Sequence, residues 1–101
     1  MASRPPSGLP EIYCDLNARM TERGYSLSRH GSVEGLKKLG LTLEEAVGRR
    51  FTFFMDDGDE HGNPDDIMFD GLVVSHPEYG VLAEEEGSGF YWRSHIRGAD
   101  A

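Results

Sequence analysis

Residues 49–74 read RRFTFFMDDGDEHGNPDDIMFDGLVV. Phe51 and Phe53 recur at every second position, and so do Ile67, Phe69, Gly71 and Val73 beyond the intervening polar run. That is the spacing of side chains on one face of a β-strand. Asp57-Gly58 and Gly62-Asn63-Pro64 supply turn chemistry between the two runs. The segment therefore predicts two strands joined by a strongly acidic hairpin loop.

Toward the C-terminus, Val81-Leu82-Ala83 reads as a short third strand, and Phe90, Trp92, Ser94 and Ile96 share one face of a last one. Turns are marked by His76-Pro77, Tyr79-Gly80 and Gly87-Ser88-Gly89. The connections are too short for parallel crossovers, so four strands imply an antiparallel meander. Such a sheet can curl into a small SH3-like barrel.

Toward the N-terminus the period becomes helical. Pro10 suits a first helical turn, Ile12, Leu16 and Met20 recur at i, i+4 and i+8, and Gly24 fits the position just past a helix end. These signals predict a helix over 10–23. Tyr25–Gly40 carries two patterns: Tyr25, Leu27 and Arg29 alternate like a strand, while Val33, Leu36 and Leu39 are spaced like a short helix. The favoured reading is an extended piece, a turn at His30-Gly31, and a helical turn or two from Ser32. Thr42-Leu43-Glu44-Glu45 has the form of a capping box, and Gly48 closes the short helix it opens. The expectation is an α+β domain over 9–97, with a lead-in at 1–8 and a tail at 98–101: an N-terminal helix and short helical turns packed on a four-stranded antiparallel sheet.

At 101 residues the chain has the length of one domain with one core. No apolar run approaches the ~20 residues of a spanning helix, and the first residues lack the apolar centre of a secretion signal. A cytoplasmic location is expected. The single Cys14 has no partner for an internal disulfide, and its apolar neighbours suggest that it packs as a small apolar residue.

Charge divides the chain unevenly. Residues 1–50 carry eight basic and six acidic side chains, whereas residues 51–101 carry two basic and twelve acidic ones. A field of that sign repels phosphate backbones and speeds encounter with basic partners. The Asp56–Asp66 stretch alone holds six carboxylates. Read as a twelve-residue calcium loop from Asp57, it places Asp59 and Gly62 correctly but puts His61 at position 5 and Met68 where the bidentate Glu belongs. The plain structural reading is a hairpin whose charges keep the flanking aromatic strands from pairing with other chains. The four histidines have no zinc-like spacing. No serine or cysteine has the surroundings of a catalytic nucleophile.

In Gly89–Ile96, alternation places Phe90 and Trp92 on one face and Tyr91, Arg93 and His95 on the other. The second set has the composition of binding hot spots. It also suits ordinary cross-strand pairing, with Arg93 answering a carboxylate such as Glu84. The expected partner-binding residues are Asp56, Asp57, Asp59, Glu60, Asp65, Asp66, Glu84, Glu86, Tyr91, Arg93 and His95. They point to a non-enzymatic acidic protein-binding module, an inhibitor or adaptor for a basic protein surface. No cofactor, no resident metal and no direct nucleic-acid or membrane contact is expected. Pairing of the last strand across a two-fold axis would give a homodimer. Two other readings remain at this level. One is a helix-turn-helix regulator built from 10–23, 32–39 and 42–47, and the other is a divalent-metal enzyme or sensor using the acidic loop.

Overall fold

The computed structural model describes residues 8–58, 62, 64–87 and 89–95. In chain order its elements are β1 (Glu11–Tyr13), a 3-10 turn (Leu16–Ala18), β2 (Gly24–Ser26), α1 (His30–Lys38) and α2 (Leu43–Ala46). There follow β3 (Arg50–Gly58), β4 (Pro64–His76), β5 (Gly80–Glu85), β6 (Tyr91–Trp92) and a second 3-10 turn (Arg93–His95). The strands described form one open sheet in the order β1-β3-β4-β5-β2, with β6 also paired to β4. The α+β class and the antiparallel pairing of β3, β4 and β5 agree with the sequence reading. The four-stranded SH3-like arrangement with a helix in front is replaced by this six-stranded sheet.

β4 organises the sheet. One edge pairs with β3 from Pro64 opposite Gly58 to Leu72 opposite Arg50. The other edge pairs with β6 at Ile67 and Met68, then with β5 from Gly71 to His76. Thirteen residues at roughly 3.3 Å each span about 40 Å, which matches the molecule's longest dimension of 39 Å. The core lies on one face of this strand. Phe53 stacks on Phe69 with ring centroids 5.2 Å apart, and Tyr25 reaches Phe69 from β2 at 5.4 Å. Ile12, Leu27, Leu36, Phe51, Val73 and Ala83 complete it.

Gly71 permits this packing. A Cβ there would stand 2.7 Å from the Glu84 carbonyl oxygen and 3.1 Å from both the Phe53 and the Phe69 rings. A side chain at this point would therefore force backbone and two core rings apart.

The helix expected over 10–23 is not formed. Ile12 and Cys14 alternate into the core, and β1 pairs parallel with Thr52–Phe54. The edge of β3 needs hydrogen-bond partners, and these three residues satisfy it better than a helix lying across it would. Parallel pairing, excluded by the sequence reading, is possible because the whole segment from Cys14 to Arg49, helices included, serves as the crossover. Asp15 ends the strand by accepting the Asn17 N–H at 2.9 Å. Gly24 is not a helix terminator either. It lies in β2, where a Cβ would meet Thr21 Oγ1 at 2.6 Å and a Leu82 methyl at 2.9 Å.

In the ambiguous stretch both patterns are realised in turn: Tyr25 lies in β2, and α1 follows. The turn expected at His30-Gly31 is instead the first turn of α1. This helix seals the outer edge of β1. The β1–β3 hydrogen bonds from the Thr52 N–H to the Pro10 carbonyl and from the Cys14 N–H to the Phe54 carbonyl leave the Tyr13 carbonyl facing away. The buried Ser32 hydroxyl donates to it at 2.6 Å. Close approach is possible because Gly31 faces the Tyr13 ring and Gly35 faces Ile12. The capping box of α2 is as expected, with the Thr42 hydroxyl accepting from the Glu45 N–H and the Glu45 carboxylate accepting from the Thr42 N–H.

Two substitutions separate close packing from helix propensity. Gly71→Ala should destabilise the protein by about 2–3 kcal/mol through overpacking. Gly35→Ala places its Cβ 3.6 Å from Ile12, an ordinary contact, and should stabilise by roughly 0.5–1 kcal/mol. Urea unfolding of both variants checks the contrast.

Candidate functional site

The far end of the β3–β4 hairpin sets Asp56 opposite Asp66 and Asp57 opposite Asp65. Like charges directly opposed across a ladder repel and cost stability. The C-terminal segment offsets part of this. Arg93 Nε donates to Asp66 Oδ2 at 2.6 Å, while its Nη1 and Nη2 donate to the two carboxylate oxygens of Glu11 at 3.1 and 2.7 Å. The guanidinium lies 5.5 Å from the centroid of the Phe54 ring. It thus bridges β1 and β4 across the ring of β3. Hydrogen bonding to Glu11 raises its pKa most, burial opposes that, and bonding to Asp66 reinforces it. The Arg93 side chain keeps 34% of its surface exposed, so the stabilisation belongs in the range of surface pairs, about 1 kcal/mol or less per contact.

Asp65 is engaged differently. It accepts from the Ser94 hydroxyl at 2.6 Å and the Ser94 N–H at 3.2 Å, and from the Asp66 N–H at 2.9 Å. Burial raises its pKa, but the bonds from Ser94 and Asp66 and the nearby His95 outweigh that, and the carboxyl lies below its ordinary 3.8. These bonds also explain why the last strand stops at Trp92. The chain turns at Arg93–His95 because its donors are drawn to Asp65 and Asp66; Ile96, the expected end of that strand, lies outside the described residues. The expected stripe of Tyr91, Arg93 and His95 along one strand face is correspondingly absent. Tyr91 donates its hydroxyl to Asp70 Oδ1 at 2.7 Å beside Thr52, which donates to the same oxygen at 2.9 Å. Arg93 answers Glu11 and Asp66 rather than Glu84.

The expected acidic surface divides in two. Asp56, Asp65 and Asp66 come together at the hairpin end. Glu84 pairs in register with Leu72 and Gly24, and Glu86 is bonded to Arg50 at 2.9 and 3.3 Å. Leu72 is six residues along β4 from Asp66, or about 20 Å, so Glu84 lies well away from the hairpin end, and Glu86, whose N–H bonds the Asp70 carbonyl, lies beside the middle of β4. Asp59 and Glu60 lie outside the described residues, as does His61 of the calcium register, and Asp57 is placed by backbone register only. Glu11, Ser94 and Phe54 were not singled out from sequence. The unbroken apolar run Phe53-Phe54-Met55 was the available sign that both faces of β3 are covered.

Cys14 is fully buried, and burial, then Asp15, pushes its thiol up to about 12. No group of three or more His, Cys, Asp or Glu among the described residues is placed to hold a metal ion. The three-helix head of a helix-turn-helix is not formed, since 11–13 is strand and α2 spans four residues with Glu44 and Glu45 in its first turn. No helix among the described residues is long and apolar enough to cross a membrane. A groove of about 520 Å3 lies between α1 and the outer face of β1 and β3, over Tyr13 and Phe54. Its walls carry Glu11, already bonded to Arg93, and Glu34 with Lys38, so it presents no net sign to a ligand. The chain matches no protein-family model, no curated protein and no solved structure.

Two measurements test this local geometry. Arg93→Lys keeps the charge but loses the planar fork, and should lower stability by about 0.5–1 kcal/mol in chemical denaturation. For Asp65 the folded pKa is depressed, so its contribution is complete above the unfolded value of 3.8 and disappears as pH falls through the folded value. Ser94→Ala should move the Asp65 carboxyl titration, followed by NMR, up toward 3.8 and shrink the stability difference across that acid window.

Proposed function

We propose that this chain is a small acidic protein-binding module, an inhibitor or adaptor that docks on a basic surface of a partner protein. The supporting observation is the register that sets Asp56 against Asp66 and Asp57 against Asp65. A hairpin selected for stability alone would place opposite charges at those rungs. Here Asp stands opposite Asp in register at both rungs, with Arg93 bonded on the Asp66 side and the Asp56 side chain exposed. A Lys- or Arg-bearing partner relieves that repulsion on binding, which converts a folding cost into affinity and electrostatic steering. The same field opposes phosphate, so a protein partner is favoured over nucleic acid.

Calorimetry with oligolysine at low and moderate salt tests the reading. The double variant Asp56→Asn with Asp57→Asn should bind roughly fivefold more weakly while gaining about 0.2–1 kcal/mol of stability from relieved repulsion. A control with Glu22→Gln and Glu78→Gln removes the same charge from exposed sites elsewhere and should lose little. Equal losses in the two variants would refute a localised docking end.

A further inference from the structure

The core face of the β3–β4 hairpin extends farther than the body that covers it. From the centre outward, its rungs are Phe53 opposite Phe69, Met55 opposite Ile67, and Asp57 opposite Asp65. The first pair is fully buried. At the next rung Ile67 is also paired with Trp92 of β6, so Met55, Ile67 and Trp92 form one row across three strands on the face that Phe53 and Phe69 define. All three are only half-buried. Phe90, edge-on to Phe69 at 5.5 Å, borders the row and is 44% exposed. Leu16 touches the row at one end, where its N–H meets Met55 Sδ at 3.4 Å. Single exposed apolar residues need no explanation, but a contiguous row spanning three paired strands and carrying a tryptophan has the makeup of a docking site.

What surrounds the row identifies its occupant. At the rung beyond it stands Asp65, opposite Asp57 in backbone register and held ionised by bonds from Ser94. We propose that Met55, Ile67 and Trp92, with Phe90, receive an apolar side chain from a basic segment of a partner protein, whose neighbouring Lys or Arg side chains reach the hairpin aspartates. This rests on the acidic-module reading and names its contact surface and anchor. Charge complementarity carries the choice. A second copy docking on the same face about a two-fold axis would bring two sets of these aspartates together, and an anionic membrane surface would meet the same repulsion.

Trp92 is the chain's single tryptophan, so its fluorescence reports on the row directly. The probes are an amphipathic Leu/Lys peptide lacking tryptophan, and oligolysine of the same charge. The Leu/Lys peptide should bind at least about tenfold tighter, the increment of one buried leucine, and should shift Trp92 emission to the blue. Ile67→Gln and Phe90→Ser should each weaken it about fivefold, whereas Tyr79→Ser, an exposed aromatic in the β4–β5 turn, should not. Because Ile67→Gln risks misfolding, Phe90→Ser, whose side chain is already exposed, serves as the independent variant. Equal binding of both probes with unchanged Trp92 emission overturns this surface while leaving the acidic-module reading standing. Binding of neither overturns both. A concentration-dependent blue shift without peptide would make a second copy the occupant and overturn the proposal.

Discussion

The backbone of β4 finds hydrogen-bond partners on both of its edges, and the architecture follows from how they are supplied. β3 satisfies one edge from Pro64 to Leu72. No single strand satisfies the other, which passes from β6 to β5, with the Glu86 N–H bonding the Asp70 carbonyl between them. Gly71 stands at this changeover, where the Glu84 carbonyl and two phenylalanine rings leave no room for a side chain. The stacked pair Phe53 and Phe69 lies directly beneath. Burial of aromatic surface and continuity of the ladder are therefore met at the same place, so neither can change without the other.

A strand that long has a cost at each extremity. Near the body, the added edge strand β1 would itself expose a carbonyl, and α1 closes it with Ser32 and a glycine-lined face. At the far end there is no helix in the described residues to do the same. Instead the C-terminal segment folds back, placing Arg93 on Glu11 and Asp66 and placing Ser94 on Asp65. The hairpin end is thus held by charge-assisted contacts where the body is held by apolar burial, and contacts of that kind weaken with added salt and at acid pH.

That division gives the functional reading its physical content. Aspartates at the end are set opposite one another despite their mutual repulsion, and apolar groups next to them are only half withdrawn from water. The proposed basic partner would improve both features, and neither stabilises the isolated chain. Arg93, which composition alone marks as a binding residue, is largely committed to internal contacts. The neighbouring core-face row of Met55, Ile67 and Trp92 stays half-exposed.

The α+β class, the acidic hairpin, the strands around Phe53, Phe69 and Ala83, and the capping box at Thr42 were set by local sequence. Alternation and turn or cap chemistry act over a few residues and need no distant partner. The same local signals misled at Ile12, Leu16 and Met20, where helical spacing yielded to the unfilled edge of β3, and at Arg93–His95, where aspartates more than twenty-five residues away in sequence stopped a strand. Which carboxylates stand together, which are neutralised and which apolar face stays half-open depended on strand order and register. Those arise from long-range pairing, a free energy summed over the whole sheet, and no short stretch of sequence carries it.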